Sequence, residues 1–232
     1  MKTQFAHSLS YKTNEFFYRL DDLIKVCNMS QRRFDCKQKP LNSDDSKINY
    51  KFSAFLSLVM TFRDILNYLT DGSATWATLS VIKHMDFIQQ LRHAATHDGT
   101  PLINAWIDGR YYIARDIRRL NQHGKKITIS VPMIDIRTIC LEFSNSFAIE
   151  LNTIIAPLLN DSRIASQLYT KQDFKQMAQH PAVPEFLRAR INRELQTAKV
   201  KGTTLHPIAE TIKTLESLVK YCNLEQQNNP SQ

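Results

Sequence analysis

Arg92, His93, His97 and Asp98 fall within seven consecutive positions of the stretch QQLRHAATHDGTP (Gln89–Pro101). Arginine offers a planar, permanently charged fork that matches phosphate oxygens, and imidazole exchanges a proton near neutral pH. On a continuing helix, positions five apart lie about 140° apart, so Arg92 and His97 would share no point on one face. Gly99, however, is the residue type that ends helices, and Pro101 stands where a helix cannot continue. The spacing therefore predicts a helix that stops at His97 or Asp98. Arg92 then lies at the margin of the buried face, and His97 is free to turn towards the same point. Carbonyl dipoles at a helix C-terminus favour the imidazolium, which suits His97 to proton transfer. Such a pair describes metal-free cleavage of an RNA phosphodiester. The 2′-hydroxyl attacks its own phosphate, Arg92 stabilises the phosphorane, and a 2′,3′-cyclic phosphate remains.

The same residues have plainer uses. Arg92 can cover the edge of a core and pair with Asp86 or Asp98, and His97 can cap the last carbonyls. His93 and His97, four apart, share a helix face and can hold zinc with Asp98. The stretch lacks the glutamate of an HExxH motif, and His84, His123, His180 and His206 are isolated in the sequence. There is no GxSxG elbow, Walker loop or GxGxxG fingerprint. No metal and no cofactor is expected.

The elements that must position Arg92 and His97 are helical. Five glycines in 232 residues argue against glycine-turn-rich sandwiches, barrels and dinucleotide-binding folds. Apolar residues at helical spacing predict helices over residues 8–28 (Phe16, Phe17, Leu20, Leu23, Ile24, Cys27), 48–69 and 74–96. The third carries Ile82, Met85, Ile88, Leu91 and Ala95 on its buried face. Residues 30–47 are polar and predict a long loop. Residues 102–131 change to β-branched and aromatic types, with turn signals at Asp108-Gly109 and His123-Gly124, and predict two or three short strands. A 25-residue helix follows Pro132, running through Ile136, Cys140, Phe143, Phe147, Leu151, Ile154 and Leu158. A shorter helix starts near Pro184, a break falls at Gly202, and a last helix runs from Ile208 to Cys222. The expectation is a mainly α domain over residues 1–164 with a β-rich insertion at 102–131. Residues 165–232 form a C-terminal helical extension packed on the same domain.

A net charge of +8 and a pI near 9.3 permit an anionic partner, although the excess is spread along the chain. Asp108–Val131 holds Arg110, Arg115, Arg118, Arg119, Lys125 and Lys126 against Asp108 and Asp116, with Trp106, Tyr111 and Tyr112 interleaved. Bases among aromatics suit single-stranded RNA through phosphate contacts and stacking, or else a solvated hairpin whose aromatics pack on the bundle. Four dispersed cysteines, no signal-peptide core and no long apolar run suggest a reduced, cytoplasmic protein with no membrane partner.

Arg92-His93-Ala-Ala-Thr-His97 resembles the Arg-x4-His motif of the HEPN superfamily, an arginine followed by a polar residue and a histidine at a helix end. KFSAFLSLVMTFRDIL (Lys51–Leu66) resembles the helix before the motif in prokaryotic HEPN-like families, and HDGTP resembles its exit. The likeness covers about residues 8–160. It implies a helical bundle that dimerises through the motif helices. Many members are metal-independent ribonucleases of toxin–antitoxin or phage-defence systems, which implies an antitoxin or other protein partner. Others are non-catalytic binding or dimerisation modules. Carried over by position, Arg92 binds the phosphate, His97 is the acid/base group, and His93 supports them.

Overall fold

A computed structural model of the chain describes residues 1–39, 44–97, 99, 101–120, 124–169, 171–181, 183–197 and 203–228. The helices are α1 (Lys2–Asp35), α2 (Asp44–Leu69), the single turn α3 (Trp76–Leu79), α4 (Met85–His97), α5 (Ile136–Ile155), α6 (Lys171–Ala178), α7 (Glu185–Thr197) and α8 (Pro207–Asn228). Three antiparallel strand pairs accompany them: β1 (Ala105–Ile107) with β2 (Arg110–Tyr112), β3 (Ile117–Leu120) with β4 (Lys126–Ile129), and β5 (Gln167–Tyr169) with β6 (Thr203–Leu205). The fold is mainly α with a small β-hairpin insertion.

The apolar stripes of α1, α2 and α5 meet on one cluster of phenylalanines. Phe16 packs at 5.0 Å from Phe55, 5.7 Å from Phe62 and 5.0 Å from Phe147, measured between ring centroids. Offset and edge-on contacts of this kind add to the apolar area already buried. α1 and α2 run antiparallel: Phe5 stacks on Tyr68 at 4.5 Å, Lys51 pairs with Asp22, and Arg33 pairs with Asp44 at 2.6 Å. α8 packs on both α1 and α5 and buries Ile208, Leu215, Leu218 and Cys222. Arg137 of α5 ties the three together, donating from Nε to Asn28 Oδ1 at 2.8 Å and from Nη2 to Glu225 Oε2 at 2.8 Å. The chain after residue 165 thus has two parts. α6 and α7 pack on each other, and α8 returns to the bundle.

Several elements differ from the sequence expectation. α1 runs to Asp35 and α2 begins at Asp44, so residues 30–35 and 44–47 of the loop expected at residues 30–47 are helix; residues 40–43 lie outside the described ones. Its last turns are held by the first hairpin, where Trp106 Nε1 donates to Ser30 Oγ at 2.8 Å and the Trp106 ring meets Phe34 edge-on. The single helix expected over 74–96 is broken into α3 and α4, with His84 between them at φ +65°. Leu79, Ile82 and Met85 stay buried across the break. The helix after Pro132 tightens into a 3-10 turn at Ala156–Asn160, because Pro157 lacks the amide that would extend α5. β5, β6 and α6 are not anticipated by the pattern. Gly202, at the expected break before α8, and His123 lie outside the described residues. Among the described residues no helix is long and apolar enough to cross a membrane. Cys27, Cys140 and Cys222 are buried and Cys36 is exposed, all as free thiols.

The Asp108-Gly109 turn forms as expected, with φ values of 50° and 82°. These are the left-handed angles a two-residue hairpin turn requires. A Cβ on Gly109 would lie 2.9 Å from Phe34 Cβ and 3.0 Å from Gln31 Cα, so the turn sits directly on α1. Gly124 has a similar φ of 73°, but a Cβ there would meet nothing within 4 Å among the described residues. Gly109→Ala therefore carries both backbone strain and overpacking, about 2–4 kcal/mol, against about 1 kcal/mol for Gly124→Ala. Urea titration of the two variants tests this. A Gly109→Ala midpoint no lower than that of Gly124→Ala would contradict the docking of the hairpin on α1.

Candidate active site

α4 ends at His97, and Gly99 adopts the left-handed φ of +62° that terminates a helix. The helix end expected from the sequence is present. Asp98, Thr100 and the side chain of His97 lie outside the described residues, so His97 is placed by its backbone at the last position of α4. Met85, Ile88, Leu91 and Ala94 are buried against α2 and the second hairpin. Arg92 sits at the edge of that buried face and is half-buried, as is His93.

Among the described residues Arg92 Nε is buried without a hydrogen-bond partner, as are side-chain atoms of His7, Ser144, Asn145, Asn152 and His206, and its guanidinium forms no ion pair. The pairing with Asp86 that would give it a purely structural role is not formed. A buried donor left unpaired costs about 1–3 kcal/mol.

The start of α4 is fixed by a charged clamp. His84 Nε2 lies 2.6 Å from Glu142 Oε2, Lys83 Nζ lies 2.7 Å from Glu142 Oε1, and the Lys83 amide donates to Ser146 Oγ at 3.0 Å. Burial works against the Glu142 carboxylate, but the bonds from Lys83 and His84 outweigh it and hold its pKa below the usual range. The clamp anchors the chain entering α4 to α5. Sequence spacing gave no hint of it, because Lys83 and His84 meet residues about sixty positions away.

The six basic residues expected to bind RNA divide into distinct roles. Arg110 Nη1 lies 3.8 Å from Asp135 Oδ2, and the residue lines a water-sized cavity with Cys27, Asp135 and Arg137. Asp135 is also the N-cap of α5, accepting from the Thr138 amide at 3.1 Å. Arg110 therefore helps fasten the hairpin to the bundle. In the β3–β4 pair, Arg118 stands opposite Thr128, Arg119 opposite Ile127 and Leu120 opposite Lys126. Strand alternation puts Arg118, Leu120, Lys126 and Thr128 on the exposed face, with Arg119 on the half-buried face beside Ile127. Arg115 and Lys125 are exposed in the flanking loops. Trp106 and Tyr111 are not free to stack on bases. Trp106 is bonded to Ser30, and Tyr111 is buried.

Immediately after the helix exit lies an open groove of about 490 Å³, lined by Pro101, Leu102, Asn104, Arg115, Ile117 and Arg118. Asp116 also lines it, but its Oδ1 accepts from the Val131 amide at 3.0 Å. A lone asparagine beside a strand, such as Asn104, carries no signal in the sequence. Among the described residues no three His, Cys, Asp or Glu side chains are grouped to hold a metal ion. Comparison with protein-family models, curated proteins and solved structures finds no match.

The state of Arg92 predicts a contrast. Arg92→Met removes an unsatisfied donor and keeps the packing stem, so stability should stay level or rise by about 1 kcal/mol. Arg137→Met strands Glu225 and Asn28 and should cost about 3–5 kcal/mol. Thermal melts of both variants check this; a large loss in Arg92→Met would mean that Arg92 is a structural arginine.

Proposed function

We propose that this chain is a metal-independent endoribonuclease of the HEPN type, acting through Arg92 and His97. The observation that carries the reading is half-buried Arg92, whose buried Nε has no partner among the described residues, about one turn before a helix that ends at His97. Two further features support it. The helix exit opens onto a groove bearing Arg115 and Arg118, and the basic β3–β4 hairpin packs against α4.

In this reaction Arg92 holds two phosphate oxygens and matches the charge that grows on them in the phosphorane. One general base removes the proton of the attacking 2′-hydroxyl, and one general acid protonates the departing 5′-oxygen. The 2′-oxygen–phosphorus bond forms as the 5′-oxygen–phosphorus bond breaks, giving a 2′,3′-cyclic phosphate and a 5′-hydroxyl. A single His97 can perform both proton transfers in turn. A homodimer that apposes two α4 ends would supply both groups at once, with His93 supporting them. The biological setting that the resemblance implies is toxin–antitoxin or phage defence, with an antitoxin as partner.

The test is cleavage of labelled single-stranded RNA by wild type, Arg92→Ala and His97→Ala, with and without EDTA. Wild type should cleave equally in both conditions, and His97→Ala should lose about 10²–10⁴-fold in rate while keeping its fold. Unchanged cleavage by His97→Ala would overturn the assignment. Loss of cleavage in EDTA with recovery on adding zinc would point instead to a zinc site at His93 and His97. RNA binding without any cleavage would make the chain a non-catalytic module.

A further inference from the structure

The groove beside the helix exit has a make-up that goes beyond the cleavage residues. Its rim carries the guanidinium groups of Arg115 and Arg118, both exposed and, among the described residues, in no ion pair or hydrogen bond. Its one acid, Asp116, is already bonded to the Val131 amide. Asn104 accepts from the Ala114 amide through Oδ1 at 2.8 Å. That use of Oδ1 leaves the Nδ2 donors for a ligand. Buried Leu102 lies at the floor, and Pro101 and Ile117 supply apolar walls.

Two free cations, an amide donor and apolar walls match a strand that alternates phosphates with flat, apolar faces. A duplex buries its bases and presents only phosphates and groove edges, so it would leave Pro101 and Ile117 unused. Pro101, at its edge, is only two residues beyond Gly99, and Ile117 and Arg118 belong to the β3–β4 pair whose β4 packs on α4.

We infer that the groove formed by Pro101, Asn104, Arg115, Ile117 and Arg118 binds the single-stranded RNA backbone next to the cleaved phosphodiester. Arg115 and Arg118 contact phosphates, and a base or ribose rests on Pro101 and Ile117. The inference rests on the reading of the α4 end as an RNA-cleaving site. It separates the insertion into a working part, Arg115 and Arg118, and a structural part, Arg110.

The measurement is fluorescence anisotropy of a labelled single-stranded RNA oligomer over a salt series. The full chain carries His97→Ala so that the probe stays intact. Adding Arg115→Gln and Arg118→Gln should weaken binding about 10–100-fold at low salt and reduce the slope of log K against log salt by about 1.4. Adding Arg115→Lys and Arg118→Lys should keep most of that slope, and Arg190→Gln, exposed on α7 and paired with Glu194, should change nothing. Binding equal to the parent in the double glutamine variant would overturn the inference. So would absence of RNA binding by the parent, or tighter binding of duplex than of single strand. The two readings fail separately. Arg115- and Arg118-dependent binding by a wild type that never cleaves sinks the catalytic reading alone. Cleavage and binding that ignore both arginines sink the groove alone.

Discussion

The packing of Phe16 against Phe55, Phe62 and Phe147 is the constraint on which the rest of the molecule depends. One ring on α1 touches two helices at centroid distances of 5.0–5.7 Å, and α2 and α5 are thereby fixed on a common centre. α8 can then seal α1 and α5, where Arg137, Asn28 and Glu225 satisfy one another. With α2 and α5 rigid, α4 has a defined bed. It packs on α2, and the turn that precedes it is clamped to Glu142 of α5.

That arrangement fixes the start and the middle of α4 on the bundle. The helix is anchored at its start by Lys83 and His84, buried along its middle, and stopped before Gly99. Arg92, near the end, has a buried Nε without a partner among the described residues. Local destabilisation of this kind is common where a side chain is kept for a ligand rather than for the fold. The hairpin that packs on the same helix brings further cations to its exit without neutralising Arg92.

Much of this was legible in the sequence, and the failures have physical causes. The stop at His97 followed from Gly99 and Pro101, and the hairpin turn from Asp108-Gly109, because both depend on local backbone angles. The break at His84 was invisible, since Leu79, Ile82 and Met85 keep helical spacing across a left-handed residue. The last turns of α1 read as loop because their partner, Trp106, lies 76 positions away from Ser30. The ion pair of Arg110 with Asp135 was invisible for the same reason, since Asp135 is on another element. The aromatic interleaving of the insertion proved to be the hairpin's hold on α1, at Trp106 and Tyr111.

The most direct measurement is the fate of an RNA substrate carrying one 2′-deoxy nucleotide at a position that is otherwise cut. Attack by the neighbouring 2′-hydroxyl requires cleavage to stop at that position alone, while other sites still yield 2′,3′-cyclic phosphate and 5′-hydroxyl ends. Continued cutting at the 2′-deoxy position would show that water is the nucleophile and would contradict the assignment of Arg92 and His97 to transesterification.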